Sequence, residues 1–202
     1  MGDTLRRLRE KVKGQSMVEL ALVLPILLIL FLGLIELGMA LRAYLVLVNA
    51  NREAARFAGR GTFSDAQIAR QALYAFAGQL PARTIDPDAN TRIIVTRFHV
   101  KSDESEPATF DQPVYITGTI PYVTKIDPQV YAISLKSHND QFNDELEAKQ
   151  PDAVRTTHEV IFVEVYYLHH QALHAPIVEW IFPEPMVLYS RTMMRVGTGR
   201  VY

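Results

Sequence analysis

From Leu20 to Ile35 the chain carries no charged residue, and the apolar run around it, 17–41, is about 25 residues long. Few features constrain a fold more. At about 1.5 Å of rise per residue, a helix over this run crosses a hydrocarbon core of about 30 Å with some tilt to spare. The flank before it, MGDTLRRLREKVKG, sets Arg6, Arg7, Arg9, Lys11 and Lys13 against Asp3 and Glu10. Basic flanks stay on the cytoplasmic side, so the expected topology is single-pass in the cytoplasmic membrane. The N-terminus is then cytoplasmic and the C-terminal domain extracytoplasmic.

Three readings of the run compete. A secretory signal peptide has an apolar region of about 7–15 residues and a small-residue cut site after it. This run is longer and lacks an A-x-A pattern. An uncleaved signal anchor is the second reading. The third is a leader cut before the apolar helix, and it rests on Gly14-Gln15-Ser16-Met17-Val18-Glu19. Gly14 has no Cβ to obstruct a peptidase at the backbone. Glu19 begins the span, where an ionised carboxylate costs several kcal/mol unless paired (about 3 on insertion scales). A cut after Gly14 creates an amine at Gln15 that can pair with Glu19 of its own chain or of a neighbour. The simpler account of Glu19 is a carboxylate wetted by headgroups. Glu36, near the outer end of the span, divides between the same two roles. Pro25 is either a plain kink or a locally melted turn used in assembly.

The segment GQSMVELALVLPILLILFLGLIELG resembles the start of TadE-like minor pilins of the tight-adherence apparatus, a type IV pilus-like system. Pro25, the Gly33…Glu36…Gly38 pattern and the run NREAARFA at 51–58 carry the likeness further. It covers about the first 45 residues after Gly14, and beyond them only the general layout agrees. Leu20 stands where major pilins of that system usually carry Tyr, and the chain of 202 residues is long. Both points favour a minor or accessory subunit. The resemblance implies a structural subunit, not an enzyme, cleaved by a prepilin peptidase between Gly14 and Gln15. Glu19, Pro25 and Glu36 would then serve assembly with other pilin-like subunits and an inner-membrane assembly platform, within membrane lipid. Roles in pilus biogenesis, adhesion or secretion follow from the likeness alone. The rival is an uncleaved, membrane-anchored extracytoplasmic binding module.

Helical periodicity continues past the membrane. Asn49, Arg52, Glu53, Arg56 and Arg60 share one face, with Val46, Leu47, Ala50, Ala54, Phe57 and Ala58 broadly opposite. One helix from about Ser16 to Gly59 would be roughly 65 Å long, so its outer half, 42–60, should pack on the extracytoplasmic domain of 42–202. The polar face reads as solvated before it reads as a partner surface. Gly59-Arg60-Gly61 should break the helix. Ser64-Asp65-Ala66-Gln67 fits a capping box for a second helix over 64–80, with Ile68, Ala72, Leu73 and Phe76 inward and Pro81 ending it.

Four β-rich runs follow within 91–196, at 91–100, 113–123, 160–168 and 185–196. No helix separates the first two, so an antiparallel sheet is expected. The expected class is α+β and pilin-like: a long and a short helix on a sheet of about four strands. The stretch 134–157 is polar and reads as a solvated loop. Its Asn139, Asp140, Asn143, Asp144 and Glu145 lack the EF-hand spacing and glycine, so no calcium site is expected. His169, His170 and His174 form H-H-x-x-x-H, but Gln171 stands where a zincin needs Glu. No metal or cofactor is expected. The balance of 21 Lys+Arg against 22 Asp+Glu gives no basic excess for nucleic acid, and the absence of cysteine excludes disulfides. No G-x-S-x-G, P-loop or G-x-G-x-x-G occurs, so no enzyme class finds support.

Overall fold

The computed structural model describes residues 2–60, 63–79, 87–103, 105–116, 120–151, 156–171 and 184–197, with side chains from Met17 onward. Gly61, Pro81 and His174 lie outside the described residues. The chain forms two compact units. One comprises Met1–Arg42 with His170–Met186, the other Ala43–His169 with Val187–Tyr202.

In the first unit, helix α1 (Gly2–Ala58) begins and runs on through Pro25 without interruption of its helical assignment. Proline removes the amide that would bond to the Ala21 carbonyl, yet one lost bond does not melt a helix of this length. His170 Nδ1 lies 2.8 Å from Glu184 Oε1, and the Gln171 amide donates to Glu184 Oε2 at 2.8 Å. The Glu184–Pro185 peptide bond is cis.

The second unit is a sheet covered on both faces. Strands β1 (Thr91–Val100), β2 (Thr109–Phe110), β3 (Val114–Ile116), β4 (His158–His169) and β5 (Met186–Gly197) form a five-stranded antiparallel sheet. β1 pairs with β4 along its whole length, from Thr91↔Tyr167 to Val100↔His158. On its other edge β3 takes Ile93–Val95 and β2 takes Phe98 and His99. The expected second strand, 113–123, is strand only at β3 among its described residues, and the short β2 before it is an addition, so five strands stand where about four were expected.

Alternation assigns the faces. Ile93 and Val95 of β1 and Ile161, Val163, Val165 and Tyr167 of β4 join one buried cluster. Against them pack Leu47, Ala50, Ala54 and Ala58 of α1 and Ile68, Ala72 and Phe76 of α2 (Asp65–Ala77). Small residues on α1 let its backbone approach the sheet, while Phe76 meets the Tyr167 ring edge-on at 4.8 Å. The Ser64–Gln67 capping box is present at the start of α2. A short helix α3 (Pro87–Asn90) leads into β1.

The opposite face carries Phe98, Val160 and Phe162, and its cover corrects the expectation for 134–157. Most of that stretch is helix α4 (Pro128–Lys149), capped by Asp127, whose side chain accepts from the amides of Gln129 and Val130. Its buried positions are Ala132, Lys136, Asn139 and Asn143, a stripe at helical spacing that is mostly polar. Lys136 Nζ donates to the carbonyls of Lys101 and Asp103 and to Asp140, and Asn143 Oδ1 accepts from the Thr156 amide at 3.0 Å. Apolar periodicity was therefore absent although helical periodicity was not.

Candidate functional site

The segment expected to carry function is the first half of α1. Gly14 and Gln15 lie on helical backbone. From Met17 the side chains stand out on every side: Met17, Val18, Leu20, Leu22, Val23, Leu24, Ile26 and Leu27 are all exposed. Successive helical residues turn by about 100°, so exposure at consecutive positions means an all-round apolar surface. Glu19 lies within this surface and is itself exposed.

One stripe differs. Ile29 and Gly33 are half-buried, and Glu36 and Ala40 are buried, at spacings of four, three and four residues. Glu36 is 1% exposed. The sequence spacing Gly33…Glu36 held the stripe, but nothing in it said that the stripe would be covered.

In the second unit the structure reveals a polar centre that the sequence did not announce. Glu164 of β4 is fully buried. It accepts from the Thr124 hydroxyl, from the Lys125 amide at 3.0 Å and from the Tyr189 hydroxyl at 2.8 Å. Tyr122 stacks on Tyr166 at 4.9 Å, Tyr166 meets Tyr189 at 4.8 Å, and the Tyr166 hydroxyl donates to the Val123 carbonyl. Burial, then the charge of Glu164, pushes the Tyr166 phenol up to about 12, and burial, then the hydrogen bond to Glu164, raises Tyr189. These phenols stay protonated and act as donors, so the cluster fastens the segment 120–127 to the sheet rather than supplying a nucleophile.

A second polar cluster ties α2 to the sheet edge. Arg97 donates to Asp65 at 2.9 Å, to Glu159 at 2.5 Å and to the Phe63 carbonyl at 2.9 Å. Burial opposes its charge, but the bonds to Asp65 and Glu159 outweigh it and raise its pKa.

A cavity of about 920 Å³ runs along α4 beside Ala132, Ile133, Lys136, Asp140 and Asp144. Lys136 and Asp140 already pair there at 2.7 Å. Among the described residues no group of three or more His, Cys, Asp or Glu is placed to hold a metal. Asn139 and Asn143 turn inward on α4 while Asp144 and Glu145 face solvent, so helix geometry scatters the oxygens that a loop might gather. His169 ends β4, and His174 lies outside the described residues.

The apolar stretch of α1, exposed rather than buried, has the length and composition of a single-pass membrane anchor. The fold is thus α+β, a long N-terminal apolar helix followed by short helices and an antiparallel sheet. Residues 14–56 match the family model of TadE-like protein. Comparison with curated proteins gives no match, and comparison with solved structures gives none either.

Proposed function

We propose that the chain is a minor pilin-like structural subunit of a tight-adherence pilus or related secretion or adhesion apparatus. A prepilin peptidase removes the basic leader between Gly14 and Gln15. The mature subunit sits in the cytoplasmic membrane with its α+β domain outside, and associates with other pilin-like subunits and the assembly platform through α1. The observation that carries this reading is the TadE-like match over 14–56, which takes in the Gly14–Glu19 motif, the whole apolar run and its helical extension. The all-round exposure of residues 17–28 supports it, because such a surface needs lipid or sister helices around it.

The alternative, an uncleaved anchor for a binding module, differs in one covalent bond. The native chain isolated from membranes should give an intact mass that starts at Gln15. A mass retaining the leader would reject processing. In the variant Gly14→Leu, a Cβ and branched side chain at the cut should leave the leader attached.

A further inference from the structure

Arg52 from α1, Lys125 from the segment before α4 and Arg191 from β5 line one cavity of about 480 Å³. Tyr44, Tyr189 and Thr192 also line it, and among the described residues no carboxylate does. Among the described residues none of the three cations forms an ion pair. Two of them are positioned by aromatic faces instead. Lys125 Nζ sits 4.2 Å from the Tyr189 ring centre, and Arg191 lies over Tyr131 while donating to its hydroxyl at 2.8 Å. Glu164 lies behind this wall, but it is fully buried and already accepts three hydrogen bonds.

Aromatic faces hold a cation without cancelling its charge. Three uncancelled cations around one space repel each other, and an anion placed between them relieves that cost. Arginine adds paired donors that match phosphate geometry. Position narrows the choice of anion. Tyr44 follows the apolar run 17–41 by three residues on the same helix, and Val48 and Arg52 follow at four-residue steps. At about 1.5 Å per residue, Tyr44 lies about 5 Å beyond the hydrocarbon edge, within the headgroup layer. Tyrosine favours that depth. Arg52 lies about 17 Å out, with a long side chain able to reach back toward the phosphates.

We infer that this cavity binds the phosphate headgroup of an anionic phospholipid in the outer leaflet, with Arg52, Lys125 and Arg191 as its cationic clamp. The inference rests on α1 being a membrane anchor, but not on leader cleavage or subunit assembly. A chain with its leader intact tests it equally well.

The test places the full chain in nanodiscs of equal parts phosphatidylcholine and phosphatidylglycerol and identifies retained lipid by native mass spectrometry. The wild type should retain phosphatidylglycerol selectively. Cations near a membrane surface attract anionic lipid, so Arg52→Gln, Lys125→Gln and Arg191→Gln together should lower that retention about tenfold or more. Arg60→Gln with Arg70→Gln, exposed but outside the cavity, should leave it unchanged. The single variants, checked for unaltered melting, should each give part of the loss. Equal retention by the triple variant and the wild type overturns the inference. So does displacement of the lipid by glycerol phosphate at matched concentration, which would make the ligand a soluble phosphate. A triple variant that keeps its lipid but loses crosslinks to sister subunits would assign the cations to a protein carboxylate and overturn it as well.

Discussion

Two side chains show how burial turns an ordinary residue into a determinant. His158 begins β4 and is buried, and its Nδ1 has no hydrogen-bond partner among the described residues. Burial, then repulsion from Arg195, lowers its pKa from 6.5 to about 4. Between those values the unfolded chain binds the proton and the folded chain does not. Stability is therefore complete above about pH 6.5 and falls as the pH drops toward 4. The whole effect amounts to about 3 kcal/mol. The variant His158→Gln, melted in detergent across this window, should show a flatter pH dependence; an unchanged slope would place the effect elsewhere. Glu19 poses the opposite case, a carboxylate set among exposed apolar side chains. Under the proposed function, Glu19→Ala makes the isolated helix more comfortable in lipid. The monomer should insert and be cleaved as before but lose crosslinks to neighbouring subunits in native membranes. Blocked cleavage would mean that the peptidase itself reads Glu19.

At the scale of elements, α4 shows why composition misleads. A helix needs an inward face, and that face is polar whenever its surroundings supply donors and acceptors. Lys136 and Asn139 meet the Lys101 carbonyl, and Asn143 meets Thr156. Removing one such partner strands buried groups at about 1–3 kcal/mol. Asn143→Ala should therefore loosen α4 selectively. Hydrogen exchange should quicken along Pro128–Lys149 while β1 and β4 keep their protection. Uniform quickening would show that α4 and the sheet open as one unit. A sequence signal for this cover did exist. IIV in β1 and VIFV in β4 are apolar without alternation, which marks strands buried on both faces. A sheet so built requires a second layer, and 128–149 was the stretch left to supply it.

For the whole molecule, the decisive division is between chain that needs lipid and chain that makes its own core. Ala43, Val46, Leu47, Ala50, Ala54 and Ala58 of α1 belong to the main cluster of the second unit. A fragment starting at Arg42 should thus be soluble and folded. One starting at Gly61 exposes the sheet face that these residues cover, and should aggregate. Equal solubility of the two would show that α1 is dispensable for the core. Under the proposed topology, a tag after Tyr202 on the full chain should be cut by protease added outside spheroplasts, and protection of that tag would reverse the orientation.

The sequence by itself determined the membrane-length helix, the capping box that starts α2, the limits of β1 and the TadE-like character of 14–56. Each depends on contacts between near neighbours or on transfer of a continuous run out of water, and both are local quantities. Only the tertiary structure decided that 134–157 is mostly helix, that the short β2 joins β3 along one edge of β1, and that Glu36 and Glu164 are buried. Those outcomes depend on partners far along the chain. Glu164 is tolerable because Thr124, Lys125 and Tyr189 converge on it from 25 to 40 residues away. No spacing rule brings those groups together; the antiparallel register of β4 and the folding of 120–127 against the sheet do.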